Sequence, residues 1–176
     1  EDSKTTLELR AVIEQAINRI TGENVMASKN SAGEAFLELA RQYYSNQGSV
    51  KADVRLDYAN VWYWVDGELE RVVVTREIFD EIMVMRSCER ALQLHGGLEE
   101  AIAMWLAANI RREADLGLDV ESIENDPAAS ADLTKTDSFP RSAYFVRAAG
   151  ARYCHMVLDL AIRDRDPSVA LGAIAA

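Results

Sequence analysis

Residues 85–116, MRSCERALQLHGGLEEAIAMWLAANIRREADL, read as two helices joined by one short turn. In the first, Met85, Cys88 and Leu92 continue a stripe begun by Ile78 and Ile82, at three- and four-residue spacing. His95-Gly96-Gly97 stops it. The second runs from about 98 to 115, with Ile102, Trp105, Leu106 and Ile110 facing inward. Glu99 and Glu100 lie at its start and Arg111 and Arg112 near its end, the polarity that complements the helix dipole. So short a turn sets the two helices antiparallel and adjacent.

Working outward, residues 5–21 give another amphipathic helix, with Leu9, Val12, Ile13, Ala16, Ile17 and Ile20 on one stripe and Gly22 as its stop. Residues 31–46 give the next. Ser31 is its expected N-cap with Glu34 in capping-box spacing, and Phe36, Leu39, Ala40 and Tyr43 are its expected buried stripe. Between these helices and the opening pair the period changes. NVWYWVDGELERVVV (60–74) alternates and is rich in β-branched and aromatic residues, with Asp66-Gly67 between its two runs. The pattern predicts a β-hairpin with strands near 58–65 and 68–74, although a helix across 53–65 competes on spacing. Thr75 is the expected cap of the helix that follows, with Glu77 in its first turn.

Residues 116–140 are acidic, poor in apolar side chains and carry Pro127 and Pro140, which reads as a surface loop or linker. RSAYFVRAAG and ARYCHMVLDLAIRDRD then form two helical pieces divided near Gly150. Asp166-Pro167 opens a last helix, with proline where a missing N–H costs nothing. Three domain segments follow: a helical domain with an inserted hairpin over 1–115, a linker over 116–140, and the start of helical repeats over 141–176. The chain opens without Met and stops inside an apolar helical pattern, so a piece of a longer protein is expected and its compartment stays open.

The composition excludes more than it selects. At 176 residues the chain can bury a core without staples. Its formal net charge of −10, with Lys and Arg dispersed, argues against nucleic acid, whose phosphates a basic stripe would have to neutralise. No apolar run approaches the ~18 residues of a membrane span. Cys88 and Cys154 form no framework and leave the redox compartment open.

Chemistry is sparse. There is no phosphate loop, HExxH, GxSxG or calcium-loop pattern. Asp164-Arg165-Asp166 reads as a turn and cap before it reads as a metal site. Cys154 and His155, adjacent on a helix, point about 100° apart and do not converge on one ion. Neither metal nor cofactor is called for, and no catalytic residues are assigned. The densest feature is the aromatic set Tyr58, Trp62, Tyr63 and Trp64. Alternation sends Trp62 and Trp64 to one face, and aromatics of this size serve cores and binding hot spots alike. Core packing is the favoured expectation. Arg86 and Arg90 are a like-charge i, i+4 pair that disfavours a helix unless something neutralises it. Glu89 or Glu113 is the ordinary neutraliser; a groove that receives a carboxylate or acidic peptide is the sharper one.

Ala91-Leu92, the HGGLEEA turn and Ala101 resemble a tetratricopeptide-type junction, here without its usual proline. Leu158, Ala161 and Ile162, then Asp164 and Asp166-Pro167, then Val169 and Ala173-Ile174 look like a HEAT-type junction. The chain is similar to large bacterial proteins of mixed HEAT- and tetratricopeptide-like repeats without an established activity, most clearly over 78–115 and 140–176. That resemblance implies a scaffold and identifies no site.

The expected fold is mainly α, an α-solenoid-like stack of antiparallel helix pairs with one β-hairpin. The expected function is a non-enzymatic interaction or scaffold module with a protein or peptide partner, of open oligomeric state. Arg86, Arg90, Trp105, Asn109, Arg112, Trp62 and Trp64 are its candidate contacts. The alternative is an all-α enzyme or small-ligand domain with a pocket lined by Trp105, Asn109 and Arg112. A plain spacer is the third reading.

Overall fold

Alternation in the sequence becomes a hairpin where Asp66 and Gly67 both take positive φ, 50° and 89°, the geometry of a type I′ turn. In the computed structural model, which describes residues 6–21, 32–118, 132–136 and 139–176, β1 (Tyr58–Val65) pairs antiparallel with β2 (Glu68–Thr75). The register sets Val61 opposite Val72 and Ala59 opposite Val74. A helix across 53–65 does not form: burial alternates along Tyr58, Ala59, Asn60 and Val61, which suits a sheet with one covered face.

Seven α-helices accompany the hairpin among the described residues: α1 (Leu7–Thr21), α2 (Ala32–Tyr44), α3 (Phe79–Leu94), α4 (Glu99–Asp115), α5 (Ser142–Ala149), α6 (Ala151–Asp164) and α7 (Pro167–Ala175). The fold is mainly α with one hairpin, as read. The chain divides into two compact units, residues 1–31 and 32–176. In the first, α1 carries its stripe of Leu9, Val12, Ile13 and Ile17, and Arg10 pairs with Glu14 one turn on.

In the second unit the helix boundaries follow local chemistry. Residues 95–98 turn the chain from α3 into α4. Gly150, at φ 87°, divides α5 from α6. Arg165 takes a left-handed conformation at the end of α6, and Asp166 caps α7 by accepting from the Val169 N–H at 3.0 Å, with Pro167 in the first turn. Asp164-Arg165-Asp166 is therefore a turn and cap. Two local expectations fail. Thr75 makes no side-chain cap; a 3-10 turn over 76–78 leads into α3 instead. On α2 the buried stripe is Gly33, Leu37, Ala40 and Tyr44, while Phe36, Leu39 and Tyr43 are only half-buried, because the helix is rotated to present Leu37 and Tyr44 to the core. The expected cap Ser31 lies outside the described residues.

Two apolar clusters result. The larger joins Leu37, Val84, Met85, Cys88, Met104 and Leu106 to Val146, Val157 and Val169, so helices on both sides of 116–140 share one core. The smaller sits beneath the hairpin, where Ala59, Val61 and Val74 cover Ile78 and Ile82 at the start of α3. Between the helices runs α4, which contacts α2, α3, α5, α6 and α7 and is buried on nearly every face. Its alanines at 101, 103, 107 and 108 permit that close approach.

Part of the expected surface loop is not a surface feature. Asp132 is 2 % exposed, and its Oδ2 accepts from Arg112 Nη1 at 2.7 Å. Its other oxygen accepts from the Thr134 N–H and hydroxyl. A charge anchors this segment where apolar side chains are scarce. Leu118 is also buried, and Phe139 packs on the main core.

Candidate docking groove

The face of α3 left uncovered by α4 meets α2 on one side and β1 on the other. The three elements enclose an open groove of about 560 Å3. Phe36 and Leu39 from α2, Trp62 from β1 and Met83 from α3 supply its apolar lining, and Arg86 and Arg90 stand along it one helical turn apart. Alternation turns Ala59 and Val61 down onto α3 and sends Trp62 and Trp64 to the other face, 48 % and 73 % exposed. This corrects the expectation that the tryptophans are core: the inward places are filled by smaller residues, and Tyr63 is the half-buried aromatic.

Arg86 is held in the groove wall. Its Nη2 donates to the Trp62 carbonyl oxygen at 2.9 Å and its guanidinium lies 4.3 Å from the centre of the Tyr63 ring. Burial pushes the Tyr63 phenol above its ordinary pKa, and Arg86 opposes that shift. Arg90 donates to Gln93 Oε1 at 3.0 Å and is exposed. Neither arginine forms an ion pair among the described residues. Neither expected neutraliser pairs with them, although Glu89 also lines the groove. Glu89 accepts from Trp105 Nε1 at 2.9 Å, and Glu113 accepts the Ser142 N–H and hydroxyl at the start of α5, with Arg141 at 3.3 Å.

The remaining candidates do not reach the groove. Trp64 stands opposite Leu69 near the hairpin tip, on the exposed face that it shares with Trp62. Trp105 is half-buried, edge-on to Phe145 with ring centres 5.0 Å apart. Asn109 and Arg112 are buried at 0 % and 4 % and bonded to each other, Arg112 Nη2 donating to Asn109 Oδ1 at 3.0 Å. Together with Asp132 they tie α4 to residues 132–134. Phe36, Leu39 and Met83 were missed as groove residues: Phe36 and Leu39 were expected on the buried stripe of α2, and Met83 lies off the stripe read for α3.

Among the described residues no three His, Cys, Asp or Glu side chains gather to hold a metal ion. Cys154 donates to the Ala173 carbonyl oxygen while His155 faces solvent. Cys88 is buried, and burial pushes its thiol up to about 12, away from nucleophilic use. No helix among the described residues is long and apolar enough to cross a membrane. Comparison with protein-family models, curated proteins and solved structures finds no match to this chain.

Proposed function

We propose that this chain is a protein-interaction module whose groove between α2, α3 and β1 docks a short peptide carrying a carboxylate beside a large apolar side chain. One observation carries the reading. Residues from separate elements, Trp62, Arg86 and Arg90, line one open groove, and both arginines lack an ion-pair partner among the described residues. Among the described residues two guanidiniums outnumber the groove's single carboxylate, Glu89, which is bonded to Trp105, and on a chain of net charge −10 they form a local cationic patch that a carboxylate complements. Phe36, Leu39, Met83 and the exposed Trp62 supply the apolar surface beside it, and aromatic and arginine side chains are the usual anchors of such contacts. Membership of a larger helical-repeat scaffold belongs to the same proposal and rests on the resemblance of the two helix junctions.

Selection of a displayed random-peptide library against the whole protein tests it. Enriched sequences place Asp or Glu next to an aromatic or branched aliphatic residue. Arg90→Ala and Trp62→Ala each weaken the selected peptide roughly tenfold or more, since each removes an anchor without touching a buried contact. Absence of enrichment, or peptides indifferent to both substitutions, overturns the reading.

A further inference from the structure

A second cavity, distinct from the groove, opens between the end of α2, the start of α3, α4 and the end of α6. Its volume is about 810 Å3, in the range of roughly 300–1,000 Å3 typical of small-molecule sites. Its charges sort themselves by pairing. Arg41 forms a forked pair with Glu100, Nε to Oε1 at 2.9 Å and Nη2 to Oε2 at 2.7 Å, and its Nη1 reaches Glu38. Arg111 pairs with Asp166 at 2.7 Å and lies over the Tyr44 ring, and Arg163 pairs with Asp164. Once these pairs are set aside, Glu77, Asp80, Glu81 and Asp115 line the cavity with no ion-pair partner among the described residues. The cavity wall is anionic and its own cations are spent.

Acidic residues alone make no site, and here a second observation points to a ligand. Glu81 is 5 % exposed and its Oε2 has no hydrogen-bond partner; the Tyr44 hydroxyl, on a residue 6 % exposed, has none either. Asp80 Oδ1 is a third buried oxygen without one. Buried polar atoms are nearly always satisfied, so three orphaned oxygens on residues lining one cavity are a set of acceptors awaiting donors. The carboxylates are also not gathered tightly enough to chelate an ion. The fitting ligand carries its own N–H donors and spreads positive charge over several bonds.

We propose that this cavity binds a linear organic polycation of the di- or polyamine class, with ammonium groups donating to Glu81 and to the neighbouring Asp80 and Asp115. Tyr44 contributes its hydroxyl oxygen as a further acceptor. Burial, with Asp115 and Asp80 adding negative charge and Arg111 opposing, pushes the Glu81 carboxyl up to about 7. An ammonium group brought against it restores the ionised form, so binding near neutrality releases a proton. Apart from the paired charges named above, Glu77 on the approach to α3, Asp80 on α3, Asp115 on α4 and Tyr44 on α2 are the other titratable groups lining the same cavity.

Spermidine titrated calorimetrically into the whole protein near pH 7, in buffers of different ionisation enthalpy, tests the site. The expected result is saturable single-site binding with proton release, weakened roughly tenfold by Glu81→Gln and by Asp115→Asn and unchanged by Arg90→Ala. Glu81→Gln removes a strained charge, so circular dichroism shows it folded. Two results overturn the site: MgCl2 at matched ionic strength giving the same heat, or Glu81→Gln binding spermidine as well as the parent does. Loss of peptide docking in the groove leaves this outcome untouched, because the two surfaces share no lining residue.

Discussion

At the scale of single residues, the buried charges make opposite demands. Arg112 is 4 % exposed and held on two sides, by Asn109 and by Asp132, whose separation of twenty positions in sequence gives no local sign of the pairing. Breaking a buried ion pair strands the partner, which is the costly event. Asp132→Ala is therefore expected to lower the unfolding free energy by about 3–5 kcal/mol in urea denaturation. The joint change Arg112→Met with Asp132→Leu costs distinctly less than the two single changes added, because neither charge is left alone. Glu81 carries the reverse sign. Its folded carboxyl holds a proton up to about 7, whereas the unfolded chain releases it near 4.5. Its contribution to stability is present in full below pH 4.5 and is lost as pH rises through 7. That loss amounts to at most about 3 kcal/mol, at about 1.4 kcal/mol per pH unit. Glu81→Gln accordingly stabilises the protein at pH 8 and does little at pH 4.5, which denaturation midpoints at the two pH values measure. A variant difference that is constant with pH would show Glu81 to titrate normally.

Elements were legible to the degree that their signal was local. The hairpin came directly from alternation and Asp66-Gly67, since a two-residue turn with positive φ at both positions admits few sequences. The α6–α7 junction came from Asp166-Pro167, because a capping side chain and a proline act within one turn. Which face each element turns inward was less legible. Alternation places Trp62 and Trp64 together without saying whether helix or solvent lies on their side, and only α3 packing beneath Ala59 and Val61 decides it. Asp132 was unreadable for a similar reason: an acidic, proline-flanked stretch looks solvated until its partner on α4 is known. Helix approach gives a test at this scale. A Cβ at Gly172 on α7 would collide with Ile110 Cγ2 on α4, a methyl on a β-branched side chain whose χ1 is restricted in a helix. Gly172→Ala is expected to destabilise by about 1–3 kcal/mol through overpacking, whatever it gains in helix propensity. Ile110→Ala added to it recovers part of that loss, so the pair is less damaging than the sum of its members; strict additivity would refute the contact.

For the whole of the unit over 32–176, the decisive fact is that α4 lies among all its helical neighbours. It touches α2 and α3 from one half of the sequence and α5, α6 and α7 from the other, and its residues 106–110 are all buried. No turn of α4 can open without exposing both halves of the main core, so its amides should exchange only through global unfolding. The hairpin has a different standing. Its own cluster contains five buried residues, Ala59, Val61, Val74, Ile78 and Ile82, and its tip carries Trp64 and Leu69 at 73 % and 59 % exposure. Two strands without a third are marginal by themselves, so the hairpin depends on that small cluster and on the bond from Arg86 to the Trp62 carbonyl. Native-state hydrogen exchange should therefore resolve two levels: α4 at the free energy found by denaturation, and residues 62–71 well below it through a partial opening. The difference bears on function, because β1 forms one wall of the docking groove while α3 forms its floor. A peptide seated against Trp62 and Arg86 binds only the closed hairpin and should raise protection in β1 and β2 while leaving α4 unchanged. Arg86→Ala should lower protection across the hairpin in the free protein, since it removes the only side-chain tie described between α3 and the β1 backbone. If the hairpin and α4 exchange in step at every denaturant concentration, groove and core form one cooperative unit, and the hairpin is then not an independently opening wall of the groove.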